Sequence, residues 1–341
     1  MTSLNRRTLF AAGAGAALSL PTIRTAQAQS AVRFTLDWAL QGNHGMWSLA
    51  EDRGIFRREQ LNVRMDRGFG SGDALVKVGS GAYDIGFADF SGAVKFNAEN
   101  PASRLVMLYP VFDRTAAAIV TMKGRGIEKP QDVVGKNLGA PEGEGSRLLF
   151  PAFARVAGID ASRVRWTSMA ANLRDTMLRT RQVDAVTGFL FTVHFNLVGL
   201  GIPEDDILSW PYAEHGLDLY GSGVFCRADW LERNGEVASR FVKASIDGLK
   251  LLLNDVNAGM ASLKRREPLF DEALEARRFA MTRDRSIITP NSRANGLGHV
   301  DMARAQQLVQ VNAEALGVAN PPAVGTMFTD RYLPPRSERM I

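Results

Sequence analysis

The sequence contains a single cysteine, Cys226, among its 341 residues. One cysteine forms no disulfide within the chain and supplies at most one thiolate, which excludes a cysteine-rich metal site. The four histidines also lack the short spacing of metal ligands; they are His44, His194, His215 and His299. No P-loop, metalloprotease motif or nucleophile motif is present. We therefore expect no metal, no cofactor and no catalytic residue.

A strong excess of charge of either sign is also missing. The whole chain carries 41 basic and 36 acidic residues, a formal net charge of +5. Three of the basic residues, Arg6, Arg7 and Arg24, lie within residues 1–28, which contain no acid. The remaining 38 basic residues nearly balance the 36 acids, and such a balance provides no basic surface for nucleic acid. We expect no nucleic-acid partner.

Residues 1–28 have the pattern of an export signal. Paired Arg6 and Arg7 precede the small-residue apolar run FAAGAGAALSL, and the segment ends in the cleavage-type sequence Ala26-Gln27-Ala28. Twin arginines favour the twin-arginine export route, and the apolar run is too short to span a bilayer. We expect cleavage near Ala28 and a soluble periplasmic protein, because no cysteine is available there for a lipid anchor.

Strand-like and helix-like segments alternate along the chain, which predicts a mostly parallel sheet covered by helices. From about residue 219 long helical segments follow one another without strands, and we expect them to cover the first part of the fold. Residues 81–90, GAYDIGFADF, resemble residues 181–190, RQVDAVTGFL. This similarity indicates either two lobes built on one strand-helix plan or the ordinary likeness of any two such units.

The stretch LDWALQGNHGMWSLAEDRGIF, residues 36–56, places Asp37, Trp38, Asn43 and His44 between a strand and a helix. Open α/β sheets bind ligands at the carboxyl ends of their strands. The indole of Trp38 is a stacking platform for an aromatic ring or part of the core. Asn43 is a ligand contact or a helix cap, and His44 faces the ligand or solvent.

Other candidates lie at helix starts and strand ends. Helix N-termini offer free backbone N–H groups that bind acceptor atoms, and ordinary capping is compatible with this use. The ends of buried strands supply pocket residues or core residues. The predicted ligand-binding set is Asp37, Trp38, Asn43, His44, Ser71, Gly72, Asp89, Phe90, Glu144, Ser146, Phe189 and Thr192.

Several segments, in this order, resemble the periplasmic binding proteins of ABC importers, in the branch that handles sulfonates and thiamine-pyrimidine precursors. They are LDWALQGNHGMWSLAEDRGIFRREQLNV, GSGDALVKVGSGAYDIGFAD, KPQDVVGKNLGAPEGEGS and MFTDRYLP. The pairs Asp37-Trp38 and Asn43-His44 are more similar to the pyrimidine-precursor side. The branch also resembles a thiamine-pyrimidine synthase that consumes its own histidine and uses iron, but the cysteine-rich motif of that enzyme is missing.

The resemblance implies a two-lobe α/β fold of the periplasmic-binding-protein type (type II-like), with two crossovers and ligand in the cleft. Lobe 1 would comprise residues 31–115 and 220–341, and lobe 2 residues 116–219. The implied function is capture of a solute by hinge closure and its delivery to a membrane permease with its ATPase. We expect a monomer that meets the membrane only through that permease.

The charges of the cleft loops indicate the class of ligand. They carry Asp37, Asp73, Asp89, Glu142 and Glu144, with Arg147 as the nearest clear cation. Carboxylates oppose an anion at close range, whereas an aminopyrimidine donates hydrogen bonds to a carboxylate. We expect a neutral or weakly basic aromatic heterocycle, with an alkanesulfonate, taurine or another small organic anion as the alternative.

Overall fold

The computed structural model describes residues 29–341, and the predicted export signal lies outside these residues. The described chain forms two five-stranded sheets with helices on their faces. The strands of the first sheet are β1 Ser30–Thr35, β2 Leu61–Asp66, β3 Ile85–Asp89, β4 Leu105–Pro110 and β10 Ser222–Arg227. The strands of the second sheet are β5 Ala117–Met122, β6 Asn137–Ala140, β7 Arg165–Ser168, β8 Ala185–Phe189 and β9 Ile207–Pro211.

The helices follow the strands in the predicted alternation up to β10 and then succeed one another. Before β10 they are α1 Gly45–Asp52, α2 Ile55–Arg58, α3 Ser71–Gly79, α4 Ser91–Glu99, α5 Gly145–Val156, α6 Arg174–Arg179 and α7 Leu190–Gly199. After β10 they are α8 Ala228–Asn254, α9 Val256–Arg266, α10 Glu272–Thr282, α11 Pro290–Asn295, α12 Met302–Ala315 and α13 Arg336–Arg339. A 3-10 turn, Gly42–His44, precedes α1, and a π-turn, Arg283–Ile287, follows α10.

Both sheets are mixed, and they share one strand order. The first sheet runs β2-β1-β3-β10-β4 and the second β7-β6-β8-β5-β9. The strand that enters each sheet from the other one, β10 or β5, runs antiparallel to both of its neighbours. The chain crosses between the sheets after β4 and again after β9, which confirms the predicted two-lobe α/β fold with two crossovers. The prediction of mostly parallel sheets did not include the two antiparallel strands.

The similar segments 81–90 and 181–190 form corresponding central strands. β3 and β8 are the third strands of their sheets, and both are fully buried. The aspartate that precedes each strand bonds to the strand beside it. Asp84 accepts from the backbone N–H of Arg33 at 2.8 Å, and Asp184 accepts from that of Asn137 at 2.8 Å. The repeated aspartate therefore joins strands and does not point to a ligand.

The C-terminal helices cover more than the first sheet, which corrects the prediction from the sequence. α8 and α9 pack on α1 as expected, but α10 also contacts α7, and α12 also contacts α5. A single apolar cluster includes Val94 of α4, Phe153 of α5 and Leu308 of α12. The two lobes therefore share part of their core. The exact lobe bounds, 31–115 with 220–341 and 116–219, stay a prediction.

None of the helices within residues 29–341 is both long and apolar enough to cross a membrane.

Candidate functional site

A pocket lies between the two lobes, at the carboxyl ends of the central strands. This is where the topology of open α/β sheets places ligands. The first lobe contributes Asp37, Trp38, Gln41, Asn43, Gly70 and Ser71. The second lobe contributes Glu144, Gly145, Arg174, Phe189, Phe191 and Thr192.

Asp37 is held in place by His44, which is completely buried behind it. The backbone N–H of Gln41 donates to Nδ1 of His44 at 3.1 Å, and Nε2 of His44 lies 3.0 Å from Oδ1 of Asp37. Because Nδ1 accepts, the imidazole proton is on Nε2 and is donated to the carboxylate. The other oxygen of Asp37 makes no hydrogen bond to residues 29–341. The pair therefore presents one carboxylate oxygen to the pocket in a fixed orientation.

Two amides of the same turn complete this wall. Oδ1 of Asn43 is buried and has no hydrogen-bond partner in the described chain, although Asn43 lines the pocket. Oε1 of Gln41 accepts a hydrogen bond of 3.0 Å from Oγ1 of Thr192 in the other lobe. A buried amide oxygen without a partner is unfavourable unless a ligand or water supplies a donor. The wall therefore contains a buried acceptor, Oδ1 of Asn43, to which no group of the described chain donates.

Two helix N-termini meet at the pocket, α3 from lobe 1 and α5 from lobe 2. Gly70, with φ of 131°, turns the chain into α3, and the N–H of Gly72 donates to the carbonyl of Gly143 at 3.0 Å across the lobes. Glu144 caps α5 by accepting from the backbone N–H groups of Ser146 and Arg147, each at 2.9 Å. The capping carboxylate satisfies N–H groups that an anionic ligand would otherwise use. Glu144 therefore makes the α5 end of the pocket acidic.

Asp89 adds a third carboxyl beside the pocket. It ends β3, accepts from the N–H of Ser91 at 2.9 Å and also from the Ser91 hydroxyl, while its Oδ2 is buried without a partner in the described chain. Burial raises the pKa of Asp89 to about 6, the Ser91 hydrogen bonds oppose this, and the Glu144 and Asp37 carboxylates add to it. Asp89 therefore gains a proton more readily than an exposed aspartate.

Arg174 is the cation of the pocket wall. Its side chain is 1% exposed and forms an ion pair with Asp175, with Nε 2.8 Å from Oδ1 and Nη2 3.3 Å from Oδ2. Its guanidinium carbon lies 5.2 Å from the ring centroid of Trp38, which belongs to the other lobe. One face of Trp38 is thus engaged in a cation–π contact, and stacking of a ligand is limited to the rest of the indole.

The sequence model of the family described as "NMT1/THI5 like" matches residues 41–257, which is more than half of the chain. The chain belongs to the NMT1/THI5-like family. The match includes the turn of Gln41 and Asn43, both helix starts and the Arg174–Asp175 pair.

One curated relative of this NMT1/THI5-like chain is 4-amino-5-hydroxymethyl-2-methylpyrimidine phosphate synthase from Legionella pneumophila. It is 26% identical over 204 residues, which are 60% of this chain and 57% of the synthase. The match therefore spans little more than half the length of that relative.

Solved structures of periplasmic binding proteins share the fold. The aliphatic sulphonate-binding protein SsuA from Escherichia coli has a TM-score of 0.68 at 16% identity, covering 89% of this chain and 99% of SsuA. The nitrate-binding protein NrtA from Synechocystis PCC 6803 has a TM-score of 0.63 at 10% identity, covering 89% of this chain and 87% of NrtA. These likenesses show that the NMT1/THI5-like chain has the fold of periplasmic binding proteins.

The structure brings seven of the twelve predicted site residues of this NMT1/THI5-like chain to the pocket wall. They are Asp37, Trp38, Asn43, Ser71, Glu144, Phe189 and Thr192. Whether they contact a ligand stays a prediction. Phe189 is the last residue of β8, and the other six belong to a loop or helix start that follows a strand.

The other five predicted residues do not line this pocket, and a ligand contact of theirs stays a prediction. Phe90 stacks on Phe328 in the core. His44 and Asp89 lie behind the wall, Gly72 uses its N–H for the contact with Gly143, and Ser146 is completely buried with an unpartnered Oγ. For His44, Gly72 and Ser146 a neighbouring residue in sequence lines the pocket instead, namely Asn43, Ser71 or Gly145.

Five residues of the pocket wall are not in the predicted set; they are Gln41, Gly70, Gly145, Arg174 and Phe191. Gln41 lies in the quoted 36–56 stretch, but its contact with Thr192 requires the other lobe. Arg174 opens α6, which follows the end of β7, so the strand-end rule that found the other residues also applies to it. Arg147, which the sequence suggested as the nearest cation, donates to the carbonyl of Ala140 and to Ser168 and lies over Trp166.

Within residues 29–341, no three His, Cys, Asp or Glu side chains form a group able to hold a metal ion.

Proposed function

We propose that this protein is the exported solute-binding component of an ABC importer and captures a small aromatic heterocycle. Its fold neighbours include periplasmic binding proteins, and residues 1–28 have the pattern of an export signal. The proposal includes a permease with its ATPase as the partner and a monomeric binding protein. The proposed ligand contacts are the seven predicted wall residues together with Gln41 and Arg174.

The observation that carries the proposal is a set of polar groups in the pocket that have no hydrogen-bond partner within residues 29–341. Oδ1 of Asn43 is buried without a protein partner, and one oxygen of Asp37 is held toward the pocket by His44. A few fixed polar groups among aromatic walls are typical of a small-molecule site. Here the walls are Trp38, Phe189 and Phe191.

The charges favour a ligand that donates hydrogen bonds. Arg174 is matched by Asp175, so this pair adds no net positive charge to the wall. Asp37 and Glu144 also line the pocket. Within the described chain, neither acid has a lysine or arginine side chain at salt-bridge distance. A ring N–H or amino group can donate to Asp37, whereas an organic anion would be repelled by both acids. A thiamine-pyrimidine precursor is of the favoured class.

We propose that the protein binds its ligand without converting it, although the Legionella relative is named as a synthase. The histidine nearest to the pocket, His44, uses Nδ1 for the Gln41 N–H and Nε2 for Asp37, and its ring lies between Trp47 and Phe87. A side chain with both nitrogens engaged and no exposed surface serves to position Asp37. This arrangement supports a structural role for His44.

Calorimetry of the protein without residues 1–28 tests the proposal. We expect 4-amino-5-hydroxymethyl-2-methylpyrimidine to bind and to be recovered unmodified, and taurine not to bind. Asp37→Asn should weaken binding about tenfold, equivalent to about 1.4 kcal/mol, because it removes a charged hydrogen-bond acceptor. Asp73→Asn is the matched control, since Asp73 pairs with Lys77 on α3 and does not line the pocket.

Binding of taurine in place of the pyrimidine would favour the organic-anion alternative. Chemical conversion of the pyrimidine, or loss of His44 detected by mass spectrometry, would instead show an enzyme. An equal effect of Asp37→Asn and Asp73→Asn would mean that Asp37 acts only through the overall charge of the cleft.

A further inference from the structure

α10 lies between the lobes and carries two buried charges of opposite sign. It contacts α7 of lobe 2 on one side and α9 and the Gly42–His44 turn on the other. Glu275 and Arg278 face these contacts and are 7% and 2% exposed. Charges buried to this extent are retained only with partners. Their partners belong to both lobes.

Glu275 holds the turn that carries part of the pocket wall. Its Oε2 accepts from the backbone N–H of Gly42 at 2.8 Å, and both of its oxygens lie 2.9 Å from Nε of Arg278. The Gly42–His44 turn packs directly against α10: a Cβ on Gly42 would lie only 2.3 Å from the carbonyl oxygen of Glu275. Gln41 and Asn43, which flank Gly42, line the pocket.

Arg278 holds the opposite wall with its remaining nitrogens. Nη1 donates to the carbonyls of Phe191 and Thr192, each at 2.9 Å, and Nη2 donates to Oδ1 of Asn196 at 2.9 Å. Phe191 and Thr192 line the pocket. The amide nitrogen of Asn196 donates in turn to Asp175 at 2.5 Å, and Asp175 pairs with Arg174.

We infer that Glu275 and Arg278 are positioning residues of the solute site, and we call them, with Gly42, Phe191, Thr192 and Asn196, the α10 latch. The latch fixes the turn of lobe 1 and the start of α7 in lobe 2 at the separation that forms the pocket. Moving α7 away would remove three acceptors from one buried guanidinium, so the latch favours the closed arrangement. The inference rests on the proposed function only in that the pocket is taken as the solute site.

Hydrogen exchange in the absence of any ligand tests the latch directly. In Arg278→Lys the charge opposite Glu275 is kept, but the planar fork that reaches three acceptors of α7 is lost. We expect the Gly42 amide to exchange about tenfold faster or more, while the amides of β5 keep their protection. Asn196→Ala, which removes one acceptor and no charge, should accelerate Gly42 by a smaller factor.

Arg277→Lys is the matched control, because the adjacent Arg277 side chain is half exposed, pairs with Glu204 and makes no hydrogen bond to a latch residue. Unchanged exchange at Gly42 in Arg278→Lys would overturn the inference. Equal acceleration at Gly42 and β5 would also overturn it, because it would indicate general destabilisation.

A second arm measures binding of 4-amino-5-hydroxymethyl-2-methylpyrimidine, for which Arg278→Lys should raise Kd about tenfold and Arg277→Lys should not. A wild-type protein that does not bind this pyrimidine contradicts the proposed ligand, and hydrogen exchange still decides the latch.

Discussion

At the residue scale, the orientation of the carboxylates in and beside the pocket depends on hydrogen bonds from neighbouring side chains. His44 orients Asp37 through Nε2, and its own Nδ1 is fixed by the backbone of Gln41. Asp89 is placed in a similar way by Ser91, but one of its oxygens is left without a partner in the described chain. The same burial that orients such groups also changes how they bind protons.

The pH dependence of stability should report the buried Asp89 carboxyl. Its pKa of about 6 lies above the ordinary value of 3.8, so the folded state keeps a proton that the unfolded chain releases. The resulting stabilisation is complete below about pH 4 and is lost as the pH rises through about 6. Relative to Asp89→Asn, the free energy of unfolding of the wild type should fall by about 3 kcal/mol over this range.

Chemical denaturation of both proteins at a series of pH values measures this difference. Parallel pH profiles for the wild type and Asp89→Asn would contradict the raised pKa.

At the scale of elements, the ends of helices build the pocket. Glu144 is both the N-cap of α5 and part of the pocket wall. Asp301 caps α12 in the same manner, by accepting from the N–H groups of Ala303 and Arg304, but it does not line the pocket. The two caps allow the stabilising role of Glu144 to be separated from a role in binding.

Replacing either cap by alanine should lower the free energy of unfolding by about 1 kcal/mol, because orphan N–H groups lose their acceptor. Thermal or chemical denaturation measures this loss. Only Glu144→Ala should also change the affinity for the pyrimidine, measured by calorimetry. Equal affinities in Glu144→Ala and Asp301→Ala would assign Glu144 to capping alone.

At the scale of the whole molecule, the structure is a closed arrangement of the lobes. Gly72 bonds to Gly143, the hydroxyl of Ser91 donates to the carbonyl of Gly145 at 3.1 Å, and Thr192 bonds to Gln41. A solute enters a pocket closed in this way only if the lobes separate. We propose that the two crossovers between the sheets are the segments about which the lobes separate.

Small-angle scattering should therefore detect closure on ligand binding. Without ligand, we expect a radius of gyration larger than that calculated for this closed arrangement, because the lobes separate in part of the population. At saturation with the pyrimidine, the radius should fall to the calculated value. A scattering curve that stays the same at saturation would argue against the hinge.

The sequence by itself determined the class of fold and the family, and it predicted where the site lies. Alternating strand and helix patterns predicted the sheets, and the polar loop after Leu36 and the strand end at Phe189 indicated residues that line the pocket. These features are local, because periodicity, caps and strand ends are written in neighbouring residues. The same rules also predicted Asn43, Ser71 and Glu144 as site residues.

Only the tertiary structure decided which side chains face the pocket and what holds them. His44 points away from the pocket, because its two nitrogens bond to Asp37 and to the backbone of Gln41. Arg174 is part of the pocket wall, where its guanidinium lies over Trp38 of the other lobe. Gly42 and Glu275, which join through one hydrogen bond, are 233 residues apart in the chain. A contact over such a distance leaves no periodic pattern in the sequence, since it depends on how two lobes and a returning helix pack together.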